Sequence, residues 1–78
     1  MSERLFTGPR RSETLSPRQL EVLRLVAQGD DGNAIAARLV ISPETVRWHM
    51  RQTLNKLGAR NRAHAVALAY HSGIFPPA

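Results

Sequence analysis

Apolar residues recur at helical spacing in four blocks of this chain, and each block is bracketed by start and stop signals. The first block sets Leu20, Leu23 and Ala27 on one face, with Val22 and Val26 beside them. Ser16 precedes it as a cap, Pro17 suits the first helical position, and Gln19 stands where a capping box takes Glu or Gln. Leu15, ahead of the cap, can act as a hydrophobic staple. Gly29 stops the block, so the pattern predicts a helix over about 17–28. Asp30-Asp31-Gly32 is a turn with Asp31 as cap, and Ile35, Ala36 and Leu39 predict a short helix over about 32–39. Ser42-Pro43-Glu44 is a second cap-plus-proline start, opening a third helix over about 43–57 that stops at Gly58. Asn61 can cap a fourth helix over about 62–72, ended by Gly73, with Ile74 and Phe75 able to fold back as the apolar contact of such a cap. There is no strand pattern and no internal repeat, so the expected fold is an all-α, four-helix bundle.

Residues 1–14 carry neither a helical nor a strand period, and Gly8-Pro9 breaks any run. They are expected to be a flexible N-terminal segment, with a basic arm touching phosphate as the alternative use of Arg10-Arg11. The folded domain is expected over 15–75, with a tail at 76–78.

Composition narrows the function. Seventy-eight residues make one domain with a small core. With no cysteine there is no disulfide scaffold, no cysteine-ligated zinc and no thiol chemistry. No apolar run approaches the ~18–20 residues of a membrane span, and the N-terminus lacks the apolar stretch of a signal peptide. A cytoplasmic protein is expected. No nucleophile, base and orienting group fall together and there is no glycine-rich phosphate loop, so the expectation is not an enzyme, with no cofactor. His64 and His71 are seven residues apart without a carboxylate, which is not a metal-pair spacing.

Charge changes the picture more. The net charge is +5 and the sequence pI about 11.4. Up to residue 37 five arginines face five acids, whereas Arg38, Arg47, Arg51, Lys56, Arg60 and Arg62 face only Glu44. A domain with one basic half suits a polyanion, although a solvated basic surface has the same composition. On the third helix, at ~100° per residue, Val46, Met50, Thr53 and Leu57 form a core stripe with Leu54 at its edge. Arg47, Trp48, Arg51 and Asn55 cluster opposite. Arg forks onto guanine and Asn onto adenine in a major groove, and Trp offers apolar contact to a thymine methyl or a sugar. An idle helix face ordinarily mixes signs for i,i+4 pairing, but no acid lies between Thr45 and Arg62. Val40-Ile41-Ser42 joins the short second helix to the longer third, which is the helix-turn-helix plan. Small Ala36 and Ala37 would let the two helices cross closely.

These features together resemble the LuxR/GerE-type helix-turn-helix output domain of bacterial transcription regulators. The resemblance is carried by Leu15-Ser16-Pro17-Arg18-Gln19, Glu21-Val22-Leu23, Ala27, Gly29, Ile35-Ala36, Leu39 and Ile41-Ser42. It continues through Thr45-Val46-Arg47, His49, Lys56-Leu57, Arg62 and Ala65-Val66. It implies a sequence-specific regulator of transcription that binds double-stranded DNA with its third helix in the major groove, as a homodimer supported by the fourth helix. By position, base contacts fall on Arg47, Trp48 and Arg51. Backbone contacts fall on or near Ser42, Thr45, His49, Gln52, Lys56 and Arg62. RNA polymerase is a further partner of such a regulator; no membrane is.

Departures from the family pattern are local. Ala34 halves the capping box at Asp31, His64 stands where Glu or Gln would close one with Asn61, and Thr53 occupies a place usually held by Ile, leaving the core there slightly under-filled. Trp48 is larger than the usual residue at its base-reading position. His49 reads equally as a half-buried packing residue and as a phosphate contact. Ser16, Ser42 and Asn61 read first as caps, and Ser42 can also donate to phosphate.

On the fourth helix Ala63, Val66, Ala67 and Tyr70 repeat at three- and four-residue spacing as a dimer face, with Ala65, Leu68 and Ala69 toward the core. A monomer or weak dimer in solution and a dimer on DNA are expected. Two other readings stand beside this one: a promoter-binding module like the last segment of a sigma factor, and an adaptor that sequesters another regulator through its fourth helix. There is no room for a sensor or receiver domain, so the chain reads as a stand-alone regulator or as the output domain of a longer one, with Met1 leaning toward the former.

Overall fold

The computed structural model describes residues 15–76. Residues 1–14, read above as a flexible segment or basic arm, and residues 77–78 of the tail lie outside the described residues. Four helices follow one another: α1 (Pro17–Ala27), α2 (Gly32–Leu39), α3 (Pro43–Leu57) and α4 (Arg62–His71). No strand occurs among the described residues. α1 and α4 end one residue before the positions expected from sequence. Gln28 has turned to φ −83°, ψ −2° and Ser72 to φ −92°, ψ 0°, so each serves as the cap.

Every start is held by a side chain. Ser16 Oγ accepts from Gln19 N at 3.1 Å while Gln19 Oε1 accepts from Ser16 N at 3.0 Å, a complete capping box. Asp31 caps α2 alone, accepting from Ala34 N at 2.8 Å. Asn61 accepts from His64 N at 2.8 Å, and His64 Nδ1 reaches back to accept from Arg60 N at 3.0 Å. The imidazole thus closes α4 one residue earlier than a Glu or Gln would.

The first three stops share a closure as well. Asp30 N donates to Leu25 O, Ile41 N to Ala36 O and Ala59 N to Leu54 O, at 2.9–3.1 Å. This closure needs a left-handed residue. Gly58 supplies one after α3 at φ 68°, but after α2 the position is Val40, at φ 57°, ψ 49°. A β-branched residue there costs roughly 1–2 kcal/mol of backbone strain. The Val40 side chain is 87% exposed, so no burial of its own offsets that cost. The strain sits in the turn of the helix-turn-helix, where Ile41 and Ser42 must be aimed to restart the chain.

The core is one cluster: Leu15, Val22, Leu23, Ile35, Ala36, Val46, Met50, Leu57, Ala65, Ala69 and Phe75. A fully buried Val, Leu or Ile contributes about 1.5–3 kcal/mol. α3 packs against all three other helices, and α1 also packs on α4. Of the two small residues expected at the α2–α3 crossing, only Ala36 is buried; Ala37 faces solvent. Thr53 is fully buried, and its hydroxyl donates to His49 O at 2.8 Å within α3. Phe75 folds back under the end of α4, its N–H on Ala69 O at 3.0 Å and its ring edge-on to Tyr70.

His49 flanks the core stripe of α3, half-buried, with Nδ1 enclosed and without a hydrogen-bond partner among the described residues. Burial, and after it the nearby Arg18 cation, holds its pKa below the ordinary 6.5. On acidification the unfolded chain therefore binds this proton first. Its share of stability is present above about pH 6.5 and is lost as the pH falls through the lower, folded-state value. Urea midpoints should drop more steeply between about pH 7.5 and 5 for the wild type than for His49→Gln. Parallel profiles would contradict this.

Candidate nucleic-acid interface

α3 begins at Ser42, whose hydroxyl accepts from Thr45 N at 3.1 Å and lies 2.9 Å from Thr45 Oγ1. Pro43 follows at the first helical position, and Gly58 closes the far end in the left-handed region. Between these fixed ends Val46, Met50, Thr53 and Leu57 are buried. The helix cannot rotate without exposing that stripe, so the opposite side is fixed too. Arg47, Trp48, Arg51 and Asn55 are all exposed on it.

Trp48 is 49% exposed, with its ring 5.2 Å from that of His49 in an edge-to-face arrangement. Glu44, Thr45, Trp48 and Arg51 line one shallow, open depression. Arg47 stands beside it with its guanidinium 3.5 Å from the Glu44 carboxylate. Both side chains are well exposed, so this pair is weak and exchangeable. Glu44 is not among the residues expected at the site from sequence. The i,i+3 spacing to Arg47 is the sequence signal for this pair.

The remaining site residues fall in four places. Ser42 and Thr45 gather at the N-terminus of α3, where N–H groups point outward and the helix dipole favours an anion. Ser42 and Thr45 share one hydroxyl–hydroxyl bond in which either can donate, which leaves one of the two O–H groups for another acceptor. His49 and Gln52 are half-buried on the flank of α3. Burial and, after it, Arg18 lower the His49 pKa and so disfavour the charged imidazolium. Lys56 is exposed in the last turn, and its Nζ donates to Gln19 Oε1 at 2.9 Å. Arg62 is exposed at the start of α4 and takes no part in the depression.

The surface charge is less evenly spread than the sequence count implied. Arg38 is engaged with Asp30, Nε to Oδ2 at 2.8 Å, and Arg18 with Glu21 at 3.2 Å. Together with Arg47–Glu44 these are the ion pairs among the described residues. Arg51, Lys56, Arg60 and Arg62 have no described carboxylate within 4.0 Å. On α4, Ala63, Ala67 and Tyr70 are exposed, the last at 46%, while Val66 is half-buried and packs on the core. Ala65 and Ala69 are fully buried, and Leu68 packs partly buried beside them. No group of three metal-ligating side chains occurs among the described residues, and none of their helices is long and apolar enough to cross a membrane.

Comparison with known proteins agrees with this architecture. Residues 13–69 match the family model described as bacterial regulatory proteins, luxR family. The probable transcriptional regulatory protein SgaR of Hyphomicrobium methylovorum is 46% identical over 56 residues, covering 72% of this chain and 26% of that protein. The probable transcriptional regulatory protein NarL of Mycobacterium tuberculosis is 47% identical over 55 residues, 70% of this chain and 26% of that protein. The nitrate/nitrite response regulator NarL of Escherichia coli K12 is 35% identical over 69 residues, 88% of this chain and 32% of that protein. The chain thus spans about a quarter to a third of the length of these three relatives. A family model matched over most of the chain, on a four-helix fold with a helix-turn-helix at its centre, places this protein in the luxR family of bacterial regulatory proteins.

Proposed function

We propose that this chain is a sequence-specific, double-stranded DNA-binding module of a transcription regulator, with α3 lying in the major groove. The observation that carries the reading is the two-sidedness of α3. A buried stripe of Val46, Met50, Thr53 and Leu57 fixes the helix, and Arg47, Trp48 and Arg51 stand exposed opposite it. Arg47 and Arg51 read base edges through their guanidinium forks, Arg47 exchanging Glu44 for DNA as it enters. Trp48 packs against a thymine methyl or a sugar. Ser42 and Thr45 hold a phosphate at the N-terminus of α3, and His49, Gln52, Lys56 and Arg62 contact the backbone on either side.

Selection of bound sequences from a random duplex pool tests the reading and yields the preferred site. On that site Arg47→Ala or Arg51→Ala should each cost ~1–3 kcal/mol and relax preference at one base position. Equal loss on every sequence would make them phosphate contacts instead.

One α3 reads only a few base pairs, so two copies on a two-fold site supply the discrimination, with half-sites about one helical turn apart. The exposed Ala63, Ala67 and Tyr70, with the edge of Val66, form the pairing face. The patch is small, so the protein pairs weakly in solution and firmly on DNA. Because Val66 also packs on the core, Ala67→Glu is the cleaner probe. It should weaken binding to a palindromic site much more than to a half-site, measured by gel shift. Equal loss on both would show α4 to be structural only.

A further inference from the structure

Gln19 belongs to α1, 37 residues from Lys56 in sequence, yet the two side chains meet at 2.9 Å. Gln19 is 5% exposed and makes no outward display of its own. Its Oε1 accepts from Ser16 N–H, which completes the α1 capping box, and from the Lys56 ammonium. Both lone pairs of that oxygen are therefore used, and the box is rigid because Ser16 Oγ holds Gln19 N in return. An exposed lysine ordinarily samples many rotamers, and fixing it costs side-chain entropy. Here the tether to a buried oxygen has already restricted it, with two N–H donors of the ammonium left for another acceptor.

The chemistry of the tether matters as much as its position. A carboxylate at residue 19 would hold the ammonium and cancel its charge. An amide holds it through a dipole and leaves the unit charge intact. No described carboxylate lies within 4.0 Å of Lys56. The C-terminal end of α3 adds a favourable partial charge without neutralising the cation.

We propose that Gln19 is a positioning residue for phosphate binding: its buried amide oxygen fixes the Lys56 ammonium at the end of α3 while leaving its charge available to the DNA backbone. This rests on the reading of Lys56 as a phosphate contact, and the test separates the two.

The test is the salt dependence of binding to a duplex carrying the selected site, for the full chain and four variants. Each neutralised phosphate contributes about −0.9 to the slope of log affinity against log salt. Lys56→Met should lose one such unit, so its affinity falls about 3.5-fold less than that of the wild type between 50 and 200 mM salt. Gln19→Glu, which keeps the box and the tether, should lose the same unit with no fall in urea midpoint. Gln28→Glu places the same charge at the other end of α1 and should keep the wild-type slope. Gln19→Met, which frees the ammonium without neutralising it, should weaken binding at an unchanged slope.

A Gln19→Glu slope equal to wild type, with Lys56→Met reduced, overturns the role of Gln19 alone. A wild-type slope in Lys56→Met overturns the phosphate contact and this inference with it. Equal losses in Gln19→Glu and Gln28→Glu would make the effect one of net charge and overturn the inference.

Discussion

The packing of α3 is the constraint on which the rest of this structure depends. In so small a domain one helix must serve both as the centre of the core and as the presented surface. α3 meets all three other helices through one stripe, and Val46, Met50, Thr53 and Leu57 leave it no rotational freedom. Its ends are fixed by Ser42 and Gly58, so it cannot slide either. The outward side chains are thereby held at set positions before any ligand arrives. That is the preorganisation a base-reading helix needs, because ordering it on binding would consume the affinity gained.

Charge is arranged around the same helix with economy. Arg38 is engaged by Asp30 and shapes the α1–α2 turn. Arg47 is loosely shared with Glu44 and can be released. Arg51, Lys56 and Arg62 have no described carboxylate within ion-pair distance, and Lys56 is held by a neutral amide instead. At His49, burial and the neighbouring Arg18 disfavour protonation.

Most of the fold was legible in sequence because its signals are local. Ser16-Pro17, Asp31, Ser42-Pro43 and Asn61 announce starts through bonds spanning three residues, and Gly29, Gly58 and Gly73 announce stops. The phase of α3 was legible because its apolar stripe is clean. What escaped was set by contact between distant segments or by competing local chemistry. Gln19 read as a cap and nothing more, since no periodicity links it to Lys56. Val40 carried no warning of a left-handed backbone, because tertiary packing of α2 on α3 overrides the preference of a β-branched residue. Ala37 looked equivalent to Ala36 until the helix phase placed one in the contact and the other in solvent. Glu44 read as part of a cap-plus-proline start and is the partner of Arg47.

If DNA covers the exposed side of α3, as proposed, Trp48 reports on it directly. It is the single tryptophan of the chain and is half exposed on that side. Acrylamide quenching of its fluorescence should be efficient in the free protein and strongly reduced at saturation with a duplex carrying the selected site. Equal quenching in the free and saturated states would place the DNA on another surface and contradict the account.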